Sequence, residues 1–236
     1  MRTTPAPAVI GREGSMTDAV TQGIAPTGDG VQRTVRVWDP LVRVFHWSLV
    51  AAFAINWLTA DELQPVHEIA GYIVAGLIAF RVVWGLVGSR YARFAQFLRG
   101  PVETLSYVGA LARGRERRYL GHNPAGAAMI VALLITLSGT VFTGWLMEEP
   151  ARVATLSEMP RIVAPAFADD DGEYEAYGEA GAEALKELHE VLANLILLLV
   201  AIHVGGVVLA SFRHHENLAR AMVTGTKRAP GPDDIA

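Results

Sequence analysis

Apolar residues in this chain are gathered into four long runs rather than spread at helical or strand period. The runs cover residues 41–60, 65–88, 124–147 and 185–212. Each reaches the roughly 20 residues that a helix needs to cross a hydrocarbon core of about 30 Å. Asp39 followed by Pro40 marks the first helix start, an N-cap with proline at the first helical position. The second run carries Glu68 and Arg81, the third carries no charge, and the fourth is uncharged from Val191 onward. Trp38, Trp47, Trp57, Trp84 and Trp145 fall near run ends, as expected of interfacial anchors. The pattern predicts an all-α integral membrane four-helix bundle.

Composition agrees: 51% hydrophobic and 19% charged, with mean hydropathy +0.29. No internal repeat is evident. The net charge of -4 hides an uneven distribution. Arg90, Arg93, Arg99, Arg113, Arg115, Arg117 and Arg118 lie between the second and third runs, Arg33, Arg36 and Arg43 flank the first, and Arg213, Arg220, Lys227 and Arg228 follow the last. The link between the first two runs has no Lys or Arg, and the link between the last two has only Arg152 and Arg161. The positive-inside rule then places both termini and the middle loop in the cytoplasm. Residues 1–32, without the apolar core of a signal peptide, are expected to form a disordered cytoplasmic tail. The transmembrane domain is expected over 33–228, with a flexible tail at 229–236.

Four histidines sit in or beside these runs: His46, His67, His189 and His203. An ionisable residue inside a membrane is costly and marks a functional site by default. With no cysteine in the chain, disulfides, thiolate-held metals and covalent c-type haem are excluded. Neutral imidazoles remain, and they suit bis-histidine ligation of haem. Helix direction sorts the four by depth: His67 with His189 near the outer surface, His46 with His203 near the cytoplasm. His189 and His203 are 14 residues apart, about 21 Å along a helix and within roughly 40° of one face, the separation two stacked haems require.

Other polar residues admit plainer readings. Gly71 and Gly205–Gly206 would let a flat macrocycle approach the backbone, or serve helix packing alone. Arg81 would pair with a haem propionate or snorkel to the interface. Glu68 would orient His67, relay a proton or sit among headgroups. His122 is expected as a cap or surface residue, and His214 and His215 as headgroup-facing. The acidic stretch from Glu148 to Glu183 would steer a basic outer-side protein such as a soluble cytochrome c, or only keep a loop solvated.

The segments VWDPLVRVFHW, HEIAGYIVAGLIAFRVVWGLVG, GHNPAG, LHEVLANLILLLVAIHVGGVVL and HENLARAMVTGTKR resemble the prokaryotic di-haem cytochrome b family. That family includes bacterial cytochrome b561 and the b-type subunits of nickel-iron hydrogenases. The resemblance spans residues 35–228 and implies a four-helix bundle with two haem b, whose ligand pattern falls on His46, His67, His189 and His203. It implies electron exchange between membrane quinone and a dehydrogenase, hydrogenase or cytochrome c partner. Expected contacts are therefore membrane lipid, quinone and an outer-side redox protein, not nucleic acid, with a homodimer left open. An electron-transfer subunit of a respiratory oxidoreductase is the leading function. A self-contained superoxide:quinone oxidoreductase, and a haem-free anchor or transporter subunit whose histidines bind metal or carry protons, remain open.

Overall fold

The computed structural model describes residues 33–149 and 173–235, with side chains from residue 181 onward in the second stretch. Its elements in chain order are β1 (Thr34–Arg36), α1 (Pro40–Thr59), α2 (Gln64–Val87), α3 (Phe94–Phe97), α4 (Pro101–Ala112), α5 (Pro124–Glu148), α6 (Glu173–Arg213), α7 (Leu218–Thr224) and β2 (Thr226–Arg228). Helices α1, α2 and α5, with residues 181–213 of α6, are long and apolar enough to cross a membrane. The predicted helical bundle is the observed one. Arg152, Arg161 and most of the acidic stretch expected to steer a partner lie outside the described residues, as does the expected tail at 1–32.

Local chemistry sets the helix starts. Asp39 caps α1 by accepting from the Val42 amide at 2.9 Å, and it also accepts from the Ser89 hydroxyl and from the Trp84 indole at 3.3 Å. Burial alone would raise the Asp39 carboxyl, yet the bonds from Ser89, Val42 and Trp84 hold it below its ordinary value. Asn123 caps α5 through the Gly126 amide at 2.7 Å, with Pro124 at the first helical position. Helix α6 starts at Glu173, 12 residues before the apolar run begins. The extension is rich in Glu and Ala, which favour helix without contributing hydropathy.

The four long helices meet in a central apolar layer of Ala52 from α1, Val74 and Ile78 from α2, Leu137 from α5 and Ile196 from α6. Leu49, Phe53, Leu77, Leu134, Val141 and Val200 pack around it. Ile196 lies seven residues from both His189 and His203, so this layer sits midway between the two histidine levels.

One end of the bundle carries a cap that the apolar pattern does not foreshadow. Strands β1 and β2 pair antiparallel, Val35 opposite Lys227, in a ribbon of three residues a side. The Val37 and Trp38 amides both donate to the Gly225 carbonyl, at 2.9 and 3.1 Å. Gly225 closes α7 with φ 84°, and a Cβ there would fall 2.7 Å from the Trp38 carbonyl oxygen, so glycine is required twice over. Beneath the ribbon, Arg118 pairs with Glu216 at 2.9 Å and with Asp234, while Lys227 lies 3.4 Å from Glu216. Lys227 also donates to the Tyr119 and Leu120 carbonyls at 3.2 and 3.0 Å. Burial would push the Glu216 carboxyl up, but Arg118 and Lys227 hold it down.

Where the sequence suggests a flexible tail at 229–236, the backbone is tied instead. The Ala229 amide donates to Arg33, Ile235 donates to the Arg118 carbonyl, and the Leu120 amide donates to Ile235, at 2.7, 2.8 and 2.8 Å. The tail supplies Asp234 to a buried arginine, a partner that composition does not reveal.

Candidate functional site

The four histidines fall at two levels. At the end opposite the ribbon, His67 near the start of α2 and His189 on α6 have ring centroids 6.3 Å apart, with their planes inclined by 67°. An atom held about 2 Å from one nitrogen of each ring, with ring centres roughly 1 Å further out, places the centroids about 6 Å apart. The gap therefore fits one metal atom between two imidazoles.

Hydrogen bonds select which nitrogen of each ring is free. His67 Nδ1 lies 2.9 Å from the Asn56 carbonyl oxygen of α1. A carbonyl only accepts, so Nδ1 carries the proton and Nε2 keeps its lone pair. His189 Nδ1 lies 2.9 Å from Thr143 Oγ on α5. The Thr143 hydroxyl proton is committed to the Thr140 carbonyl at 2.9 Å. Its oxygen therefore accepts from His189 Nδ1–H, and Nε2 again carries the lone pair. Gly144 clears the ring, since a Cβ there would lie 3.2 Å from His189 Cε1. Gly71, expected beside this level, faces α1, with Asn56 Oδ1 3.9 Å from where its Cβ would stand.

The ribbon end is organised differently. His46 lies two turns into α1, its ring meeting Trp47 edge-on at 5.2 Å, and His203 lies on α6. Arg81 of α2 is 4% exposed, with its guanidinium 4.6 Å from the centre of the Phe94 ring. Snorkelling is thereby removed as a reading of Arg81. His122 is neither cap nor surface residue, for Asn123 caps α5. Its ring is packed between Trp38 and Phe97 at centroid distances of 4.7 and 4.5 Å. Burial, then the positive charges of Arg81 and Lys227 and the nearby His203, push His122 down to about 3. His214 follows α6 directly, and burial is the first cause that lowers it.

Four buried side-chain polar atoms among the described residues lack a partner: Arg43 Nε, His46 Nδ1, one Arg81 terminal nitrogen and His122 Nδ1. All four belong to the ribbon end. Buried polar groups are ordinarily paired, so this level carries unmet hydrogen-bonding capacity that the opposite level does not.

Beyond the residues expected from the sequence, the site recruits Asn56, Thr143, Gly144 and His122. Thr136, Thr140 and Thr143 recur at i, i+4, i+7 on the otherwise apolar α5, a polar stripe on one helix face that could have pointed to them.

A family model described as prokaryotic cytochrome b561 matches residues 37–225, which include both histidine levels and most of the ribbon-end cap. The chain belongs to the prokaryotic cytochrome b561 family. The family is one of bacterial integral-membrane b-type cytochromes that bind haem b and transfer electrons. A "Probable Ni/Fe-hydrogenase B-type cytochrome subunit" of Bradyrhizobium diazoefficiens is 24% identical over 143 residues, covering 48% of this chain and 58% of the relative. The chain thus aligns with somewhat over half of that relative's length. No solved structure matches the chain significantly.

Proposed function

We propose that this chain carries electrons between the quinone pool of a bacterial inner membrane and a redox protein on the outer side, using two haem b. His67 and His189 would hold the outer haem, and His46 and His203 the inner one. When bound, each haem supplies a one-electron iron couple. The observation that carries the reading is the outer pair: two rings a metal's width apart, each with Nδ1 hydrogen-bonded so that the lone pair is on Nε2. Among the described residues no three His, Asp or Glu form a metal site. Two imidazoles suit an iron whose other ligands come from a macrocycle.

The chain's own residues do the rest. Asn56 and Thr143 fix the tautomers of His67 and His189. Arg81 and His122 offer unmet polar nitrogens to the propionates of the inner haem. The layer of Ala52, Val74, Ile78, Leu137 and Ile196 keeps water from between the two levels. The arginines of the middle loop favour placing the ribbon end in the cytoplasm, so the outer pair faces the side where a hydrogenase, dehydrogenase or cytochrome c would dock.

The test is haem stoichiometry followed by reduction. Purified protein should carry two protohaems per chain, His203→Ala should carry one, and a quinol should reduce the parent's Soret-absorbing haem. A parent with one haem or none, or a His203→Ala protein that keeps two, overturns the ligand assignment.

A further inference from the structure

Between α2 and α5 the chain builds α4, a helix that supplies nothing to the histidine levels. Its 12 residues extend about 18 Å, too short to span a membrane. The two long helices it links, α2 and α5, end and begin at the ribbon end, so α4 lies at the level of that membrane face.

Its surface divides into three faces. Tyr107 is buried and meets Tyr119 at 5.7 Å, which sets the face turned toward the protein. Glu103 and Ser106 form a polar face. Between them Val102, Leu105 and Val108, which are 80%, 71% and 44% exposed, fall within roughly 120° of helix surface. Leu98, 41% exposed, stands just ahead of α4. No described residue covers this stripe, which in water would be a liability.

Charge identifies what covers it. Residues 88–118 hold seven arginines and two acids. One acid, Glu103, pairs with Arg99 at 3.4 Å, and the other, Glu116, with Arg213 at 3.1 Å. Arg93 before the stripe, and Arg113 and Arg115 after it, are exposed at its two ends. An aliphatic stripe bracketed by guanidinium groups matches a leaflet of acyl chains beneath phosphodiester headgroups, which arginine can bind bidentately. A protein docking surface would carry exposed aromatic anchors, and this stripe has none.

We propose that α4 is an interfacial helix that inserts Val102, Leu105 and Val108 into the leaflet at the ribbon end and gathers anionic phospholipid through Arg93, Arg99, Arg113 and Arg115. The inference does not depend on the haem ligands.

The chain has no cysteine, so Leu105→Cys and Ser106→Cys each give one labelling site on the full-length, haem-loaded protein. The Soret spectrum reports that each remains folded. In vesicles of phosphatidylglycerol and phosphatidylcholine, a spin label at 105 should collide with oxygen far more than with a water-soluble nickel chelate, and a label at 106 the reverse. Spin-labelled phosphatidylglycerol should associate with the parent about twofold more than phosphatidylcholine, falling to parity once Arg93, Arg99, Arg113 and Arg115 are changed to Gln. Chelate access at 105 equal to that at 106 overturns insertion. A label at 105 shielded from both reagents means that protein covers the stripe, and the proposal falls. Equal association of both lipids with the parent overturns the anionic selectivity.

Discussion

Thr143 offers a direct test of the outer site, because its role follows from which proton goes where. Its hydroxyl proton is committed to the Thr140 carbonyl, so its oxygen accepts from His189 Nδ1–H at 2.9 Å. An acceptor on the far nitrogen of a ligating imidazole raises the ligand's basicity and favours the oxidised metal. Replacing Thr143 by Val keeps shape and burial but removes the acceptor. A neutral hydrogen bond contributes about 0.5–1.5 kcal/mol, and one-electron chemistry equates about 1.4 kcal/mol with 59 mV. The full bond therefore corresponds to roughly 20–60 mV. The Thr140 carbonyl also reaches the His189 ring and survives the substitution, so the rise should fall in the lower half of that range. Potentiometric titration of the two haems in Thr143→Val should show the outer one raised and the inner one unmoved, with Thr143→Ser close to the parent. An outer potential unchanged within about 10 mV, or a shift confined to the inner haem, refutes the reasoning.

Two further outcomes follow from the ribbon end. Arg81 is buried there as a positive charge, which favours the reduced inner haem, so Arg81→Gln should lower that potential by on the order of 50 mV and leave the outer one in place, as read by redox titration. His122 has its folded pKa depressed to about 3, against about 6.5 in the unfolded chain. Over that window the unfolded state binds the extra proton, so stability is complete above about pH 6.5 and falls, by up to about 1.4 kcal/mol per unit, as pH drops toward 3. Thermal loss of the Soret band between pH 7 and pH 5 should shift less in His122→Phe, an aromatic suited to the slot between Trp38 and Phe97, than in the parent. Equal shifts would mean that His122 does not carry this dependence.

The bundle was legible because hydropathy and helix spacing are one-dimensional signals. Asp39-Pro40 and Asn123-Pro124 mark two starts, and 14 residues between His189 and His203 set a rise and a face. The cap was not legible, because its pairings join residues roughly a hundred or more positions apart. Arg118 meets Glu216 and Asp234, and Lys227 meets the Leu120 carbonyl. His122 is not a surface residue for a related reason: GHNPAG reads as a turn, but Trp38 and Phe97, both distant in sequence, enclose its ring. Thr143 is not legible in the sequence because a threonine in an apolar helix normally returns its proton to its own backbone. It does so here as well, and only the ring on the neighbouring helix gives its oxygen a second use.

The two histidine levels differ in a way that bears on how the bundle comes to hold its cofactors. At the level of His67 and His189 both Nδ1 atoms are hydrogen-bonded, to a backbone carbonyl of α1 and a hydroxyl of α5, so protein contacts orient both rings. At the ribbon end the unmet atoms belong to Arg43 and His46 on α1, Arg81 on α2 and His122 ahead of α5. Each unpaired buried polar group costs about 1–3 kcal/mol. Acceptor-rich propionates bound there would pair the unmet donors of Arg43 and Arg81. The cap of β1, β2 and the Arg118 network lies over the same end and holds it closed. In the proposed arrangement the outer level is thus preorganised, whereas the inner level would be completed by its haem.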